Sequence, residues 1–353
     1  METVSNDYLH AITVDEDICI GCSHCVKVCP TEALRVWSGK AIIDDTKCVD
    51  CGDCYRVCPV KAIFVKESDL DLRSNDHWNV ALLPAAFWGQ FTKDISREKI
   101  IDAIYSAGFQ QFFDVEQSVE PLSKEIEEYL KEANGHNKIS SFCPAVVRLI
   151  QTRFPELISS IVHLKSPVEI TAKHVAEKLK IEKPEANVSV YYVTPCAAKA
   201  ATLHNSKDNE TYIDASINMD VFYNRISKFL KLENTVISTP KPNDLLSPKS
   251  IGWSMPGGEG NHLSVNTLSI DGMHHCIEYL ENIEKEDFKE IDFLELKACD
   301  QGCAGGILNP QNRFLCVESL KSRSKVNAKK ESSIPKLLIT NTHSIYFSTT
   351  AIW

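Results

Sequence analysis

The sequence predicts two unlike parts: a small, cysteine-rich α+β unit over residues 1–70 and a larger α/β domain with largely parallel sheets over residues 80–353. Three observations predict this division. The string Cys19, Cys22, Cys25, Cys29, Pro30 recurs as Cys48, Cys51, Cys54, Cys58, Pro59, so the first part is an internal repeat. From Val80 onward, short apolar segments alternate with longer amphipathic stretches of helical period. Between them lies the polar stretch ESDLDLRSNDHWN, residues 67–79, whose stretch 71–79 is taken as the linker.

Each half of the repeat reads as a cysteine loop followed by a short helix. In this spacing three thiolates close on one 4Fe-4S cluster while the fourth reaches across to the other. Cys19, Cys22, Cys25 and Cys58 are therefore expected to hold one cluster, and Cys48, Cys51, Cys54 and Cys29 the second. So small a unit has little apolar core, and metal–thiolate bonds are expected to supply much of its folding energy. Asp15, Asp17, Asp44 and Asp45 read as turn and surface acids beside these loops.

In the larger part, strands are expected at Val80–Leu83, Ile139–Ser141, Val188–Val193 and Ile291–Leu296. Helices are expected at Arg97–Ala107, Pro121–Ala133, Val146–Phe154, Val168–Leu179 and Ser264–Ile283, with Gly108 and Gly135 at helix C-caps. Strands alternating with helices argue for a parallel sheet covered on its faces. Cys143, Cys196 and Cys299 each follow one of those strands, and ligands gather at the carboxyl ends of strands in such sheets. With Cys303, four residues on, they supply four thiolates for a third 4Fe-4S cluster.

Composition narrows the remaining classes. Fourteen cysteines concentrated in cluster spacings fit a reducing compartment, and the opening METVSNDYLH lacks a signal-peptide pattern, so a cytoplasmic location is expected. No apolar run approaches the roughly 18 residues of a membrane span. A net charge of −10 argues against a nucleic-acid backbone as partner. The one basic run, Lys321, Arg323, Lys325, Lys329 and Lys330, reads as a solvated loop. The segment Leu337–Trp353 alternates as a strand does, without an assigned position.

Read together, SSFCPAVV around Cys143, VTPCAAK around Cys196 and ELKACDQGCAGG around Cys299 and Cys303 resemble the three cluster motifs of the iron-only hydrogenase large-subunit family. The phrases CPAVVRLIQTRFPEL, KSPVEI and TPCAAK look most like its sensory-type or degenerate branch. The resemblance implies an α+β ferredoxin-like dicluster domain docked on a two-lobed α/β iron-only hydrogenase-like domain, with a cube buried between the lobes. It implies that Cys303 bridges the cube to a diiron unit with CO and cyanide ligands, that Lys199 hydrogen-bonds a cyanide, and that Pro84, Phe142 and Thr194 line the pocket. Several positions depart from the active pattern. Phe142 replaces a proton-relaying cysteine, Thr202 a glutamate, Thr194 and Lys297 methionines, Val168 a polar pocket residue, and Gly305, Gly306, Ile307 a glycine triplet. These changes bear on proton delivery and pocket packing.

The function expected is that of an iron–sulfur oxidoreductase. It would pass low-potential electrons between the cluster pair and the buried cube, with slow hydrogen turnover or hydrogen sensing where a diiron unit is bound. The alternative is a non-catalytic electron-transfer or regulatory subunit with three 4Fe-4S clusters alone. The partner expected is a redox protein such as a ferredoxin, with a signalling or complex partner as a second class. Cys276 and Cys316 read as buried apolar cysteines, His274 and His275 as helix-surface histidines. In MPGGEGNH, residues 255–262, the glycines are expected to let backbone pass close to the third cluster.

Overall fold

A computed structural model describes residues 10–66, 77–132, 137–205, 211–230, 246–283 and 290–326. Gly135, Lys329, Lys330, residues 67–76 of the polar stretch and the segment 337–353 lie outside the described residues. Residues 77–79, read as linker, are instead the start of a strand: His77 to Asn79 pair with Asn187 to Ser189. Their polar side chains hid the strand, because His77 bonds the Ser189 hydroxyl and Asn79 donates to Gly108 O.

The N-terminal unit contains β1 (Ile12–Val14), α1 (His24–Val28), β2 (Leu34–Trp37), β3 (Lys40–Ile43), α2 (Asp53–Val57) and β4 (Ile63–Val65). β1 pairs antiparallel with β4, and β2 with β3, so the two repeat halves interlock. Each short helix starts directly after a left-handed residue, Ser23 or Gly52, which turns the chain within the cysteine loop. Gly21 needs its missing side chain: a Cβ there would lie 2.4 Å from Gly39 O.

The larger part opens with β5 (His77–Leu83), α3 (Ala85–Trp88), α4 (Arg97–Ser106), β6 (Gln111–Asp114), α5 (Val119–Glu132) and β7 (Lys138–Ile139). It continues with α6 (Pro144–Arg153), α7 (Pro167–Glu182), β8 (Asn187–Thr194), α8 (Ala197–Asn205), β9 (Ala215–Asn218) and α9 (Met219–Leu230). It closes with α10 (Pro248–Gly252), β10 (Thr267–Asp271), α11 (Met273–Ile283), β11 (Phe293–Lys297) and α12 (Arg313–Val326). Two parallel sheets result, in the order β6-β5-β8-β9 and β10-β11-β7, one for each lobe. The fold is a small N-terminal unit of two interlocked repeat halves followed by a larger α/β domain with two parallel sheets.

Strand alternation sorts the first lobe's core. Val80 and Leu82 of β5 join Val190 and Tyr192 of β8 under Val175 and Leu179 of α7. Ala81 and Leu83, with Tyr191 and Val193, face Phe87 of α3, Ile104 of α4 and Phe222 of α9. Local signals agree with the packing. Ser96 caps α4 by accepting from Lys99 N, Ser166 and Glu169 form a capping box on α7, and Gly108 at φ 101° follows α4. The second lobe buries Leu294 and Leu296 of β11 against α6 and α11.

Two further expectations are corrected. Ser264–Ile283 is not one helix but strand β10, a turn at Gly272 (φ 92°), then α11. The apolar spacing of Leu268, Ile270, Met273 and Ile277 imitates a helical stripe across the break. Lys321, Arg323 and Lys325 lie on α12 rather than a loop, and that helix docks through Cys316, Val317 and Leu320. Cys276 and Cys316 are both fully buried, while His274 and His275 are exposed. Among the described residues, no helix is long and apolar enough to cross a membrane.

Candidate metal centre

The repeat halves build two cavities, and each is lined by three cysteines of one half and one of the other. Cys19, Cys22, Cys25 and Cys58 line the first, closed by Val36, Ala41 and Ile63. Cys29, Cys48, Cys51 and Cys54 line the second, with Ile12, Leu34 and Ile43. The crossed sets read from spacing are therefore brought together. Backbone amides point at the sulfurs: Ala33 N donates to Cys29 Sγ at 3.2 Å and Ala62 N to Cys58 Sγ at 3.2 Å. Burial pushes the Cys54 thiol up to about 12, and neighbouring Cys29 and Cys25 push the same way. Such a set can ionise together only around a cation.

The third set gathers where the carboxyl ends of both sheets meet. Cys143 leaves β7 as the N-cap of α6, Cys196 joins β8 to α8, and Cys299 follows β11, with Cys303 on the 3-10 turn Gly302–Gly305. Ala298 N donates to Cys143 Sγ at 3.4 Å. Leu308 N donates to Pro195 O at 3.2 Å, tying the Cys303 turn to the Cys196 loop. Gly306 permits this approach, since a Cβ there would lie 2.4 Å from Pro195 O. Burial raises the Cys196 thiol to about 12, with Cys143 and Cys303 adding to the rise. Cys299 is raised well above its ordinary value by burial, then by Cys196, Cys143 and Cys303. All four sulfurs thus share one electrostatic neighbourhood.

The second cavity abuts this third set. Arg56 of α2 donates to Gly305 O, and Arg148 of α6 donates to Cys48 O at 3.0 Å. Gly52, at φ 85°, lies against the Ile307 side chain, where a Cβ would meet Cδ1 at 2.3 Å. The three cysteine sets therefore form a row, with Cys22 exposed at the outer end.

Beside Cys303 lies a buried polar pocket. Lys199 Nζ is 4.0 Å from Cys303 Sγ. Pro84 follows β5 and starts α3, and the next amide, Ala85 N, donates to Glu116 Oε2 at 2.6 Å. Glu116 follows β6 and is 4% exposed. Burial pushes its carboxyl up to about 8, with Lys199 opposing and Asp114 adding. Tyr192 of β8 is buried with no hydrogen-bond partner for its hydroxyl, and Lys199, Glu116, Cys303 and Cys196 all act on it. Sequence reading missed Glu116 and Tyr192, because neither stands in a cysteine motif. Their only signal is position, one after a strand and one near the end of another.

The other pocket expectations resolve differently. Phe142 packs its ring on Trp253 at 5.5 Å within an apolar cluster. The Thr194 hydroxyl donates to Cys196 O at 2.9 Å and so shapes the cysteine loop. The Thr202 hydroxyl donates to Ala198 O at 2.9 Å inside its own helix. Lys297, read as a substituted methionine, is the centre of a buried ion cluster: its Nζ lies 2.7 Å from Glu295 and 3.5 Å from Glu259. Glu259 comes from the glycine-rich segment and accepts from the Ser140 hydroxyl. The residue just before that segment touches the cluster turn, with Ala304 N donating to Ser254 O at 2.8 Å.

Residues 18–62 match the family model of the 4Fe-4S dicluster domain, and residues 79–248 match that of the iron only hydrogenase large subunit, C-terminal domain. This is an iron-only hydrogenase-like chain with an N-terminal ferredoxin domain. Over 33 residues it is 48% identical to Ferredoxin-2 of Desulfomicrobium norvegicum (strain DSM 1741 / NCIMB 8310), a stretch covering 9% of this chain and 56% of that ferredoxin. The chain thus spans a little over half the length of that relative. Among solved structures it is similar to HydA(deltaEFG), a structure concerned with stepwise [FeFe]-hydrogenase H-cluster assembly. The TM-score is 0.57 at 14% identity over 76% of this chain and 90% of that one. It is also similar to a variant of apo [FeFe]-hydrogenase HydA1 from Chlamydomonas reinhardtii, with a TM-score of 0.55 at 14% identity over 75% and 89% of the two chains. At such identity the likeness concerns the fold of the hydrogenase-like chain.

Proposed function

We propose that this hydrogenase-like chain is a three-cluster electron-transfer oxidoreductase whose third 4Fe-4S centre, held by Cys143, Cys196, Cys299 and Cys303, ends the electron path. The two cavities lined by crossed cysteine sets fit 4Fe-4S clusters in number and type of donor. The third set fits likewise in number and type of donor, and burial together with the neighbouring thiols raises Cys143, Cys196 and Cys299. When bound, such clusters supply reversible one-electron storage. The chain's own residues do the rest: α2 and the Gly305–Ile307 turn hold the second and third sets in contact, and the apolar walls keep water out.

The pocket beside Cys303 does not present its backbone donor to a diiron unit with cyanide ligands: the Ala85 amide is engaged by the Glu116 carboxyl, and Lys199 faces the same group. This carboxyl in the pocket is the single observation that carries the reading. The departures at Phe142 and Thr202 point the same way, since a phenyl ring cannot pass a proton and a threonine hydroxyl is a far poorer acid–base group than a carboxylate.

A redox protein would exchange electrons at the first cavity, whose Cys22 is exposed. Ile18, Ile20 and Trp37 stand out around it, Trp37 being 73% exposed, and they offer an apolar docking face. Lys40 holds that face together by donating to Cys19 O at 2.9 Å.

The test is iron content with infrared spectroscopy after expression in a host able to assemble the diiron unit. About twelve irons per chain and no bands of bound CO or cyanide are expected. Such bands, with more iron, would show the pocket to be loaded and the reading wrong.

A further inference from the structure

Glu116 is a buried acid that electron transfer by itself does not require. Its surroundings are specific. From β5 and α3 comes the Ala85 amide, 2.6 Å from Oε2; from α8 comes Lys199, whose Nζ lies 4.0 Å from Cys303 Sγ. From β8 comes the Tyr192 hydroxyl, buried and without a hydrogen-bond partner. Asp114 of β6 adds negative charge but is itself engaged, by Arg97 at 3.0 Å and by the Trp88 indole at 2.6 Å. From α7 the Thr171 hydroxyl is spent on Val115 O at 2.7 Å. Among the described residues, the Lys199 ammonium acts on both the third cysteine set and the Glu116 carboxyl.

We propose that Glu116 takes up a proton when the Cys143/Cys196/Cys299/Cys303 centre is reduced by one electron. This inference rests on the three-cluster reading and deepens it. The extra negative charge at the centre draws Lys199 toward Cys303, which weakens the cation's hold on the Glu116 carboxylate. A buried carboxylate that loses its countercharge is costly, and protonation relieves it. The balance is one electron from a low-potential one-electron donor protein and one proton from solvent. The centre gains the electron, Glu116 goes from carboxylate to carboxylic acid, and no bond to iron forms or breaks. Reoxidation returns both.

Burial already holds the Glu116 carboxyl at about 8, above its ordinary 4.5, while Lys199 pulls it back down. Proton uptake on reduction is expected from the pH at which the oxidised protein ionises Glu116 up to the higher pH at which the reduced protein ionises it too. Tyr192, raised by burial, stays a neutral donor throughout.

The experiment is a redox titration of the holoprotein at a series of pH values, each cluster followed by electron paramagnetic resonance, in wild type and Glu116→Gln. The wild-type third cluster should be pH-independent below about 8. Above that, its reduction equilibrium should weaken tenfold per pH unit, about 59 mV for one electron. The ferredoxin pair should show no such slope, and Glu116→Gln, which keeps an oxygen acceptor for Ala85 N, should abolish it. Redox-difference infrared spectra of the wild type should show a buried carboxylic acid C=O band appearing on reduction. A flat wild-type potential, a slope retained in Glu116→Gln, or a missing carboxylic acid band would overturn the inference. Iron near eight per chain would instead remove the third cluster, and with it the reading on which the inference stands.

Discussion

Replacing Lys297 with methionine tests whether the buried ion cluster holds the second lobe together. The lysine is 4% exposed in its side chain, and Glu259 and Glu295 are 2% and 0% exposed. At 2.7 Å and 3.5 Å, the two attractions are about 6 and about 5 kcal/mol gross at an effective dielectric of about 20. Desolvation of the three charges consumes most of this, and stranding the carboxylates is expected to cost about 3–5 kcal/mol net. Lys297 also donates to Trp253 O at 2.9 Å and Met255 O at 3.2 Å, and methionine leaves both carbonyls without that donor. Burial tends to lower the lysine, but Glu295 and Glu259 more than offset this and keep it charged. Burial lifts the Glu259 carboxyl to about 7, against the opposing pull of Lys297, so the variant should lift it further. An acid raised in the folded state contributes stability that is present at low pH and lost as pH rises through its folded value. The deficit of Lys297→Met should therefore be largest near pH 8 and shrink toward acid pH. Urea unfolding followed by tryptophan fluorescence at both pH values measures it. Adding Glu259→Gln and Glu295→Gln should recover most of the loss. A Lys297→Met chain as stable as wild type at pH 8, or equally weakened at every pH, would refute the reasoning.

Two further outcomes are expected. Cys196→Ala should lower iron from about twelve to about eight per chain and remove one 4Fe-4S signal, leaving the ferredoxin pair intact by electron paramagnetic resonance. Loss of all three signals together would contradict the separation of the cavities. Gly52→Ala and Gly39→Ala both force a side chain into left-handed backbone, at φ 85° and 78°, for about 1–2 kcal/mol of strain. Only Gly52→Ala also meets a neighbour, Ile307, so it should lower the thermal midpoint more than Gly39→Ala. Equal losses would mean that the contact between the second cavity and the Cys303 turn carries no stability.

The cysteine sets were legible because ligation by neighbouring residues demands fixed local spacing, and even the crossed membership of Cys29 and Cys58 follows from it. The third set was legible through motif and strand ends together, since Cys143, Cys196 and Cys299 each follow a strand. Long helices such as Arg97–Ser106 and Pro167–Glu182 were readable from period and caps. Strands β6 and β9, four residues each, are too short to show a period, and β10 was absorbed into the stripe of α11. Glu116 and the ion cluster of Lys297 were invisible for another reason. Their meaning lies in partners distant in sequence, with Ala85 about thirty residues and Glu259 about forty residues away.

The interlocked halves of the N-terminal repeat carry an evolutionary consequence. Once each copy lends a sulfur to its sister's chamber, neither can be deleted, exchanged or left to decay without emptying a quarter of the other's coordination. A duplication that began as two spare copies has thereby become a single heritable unit.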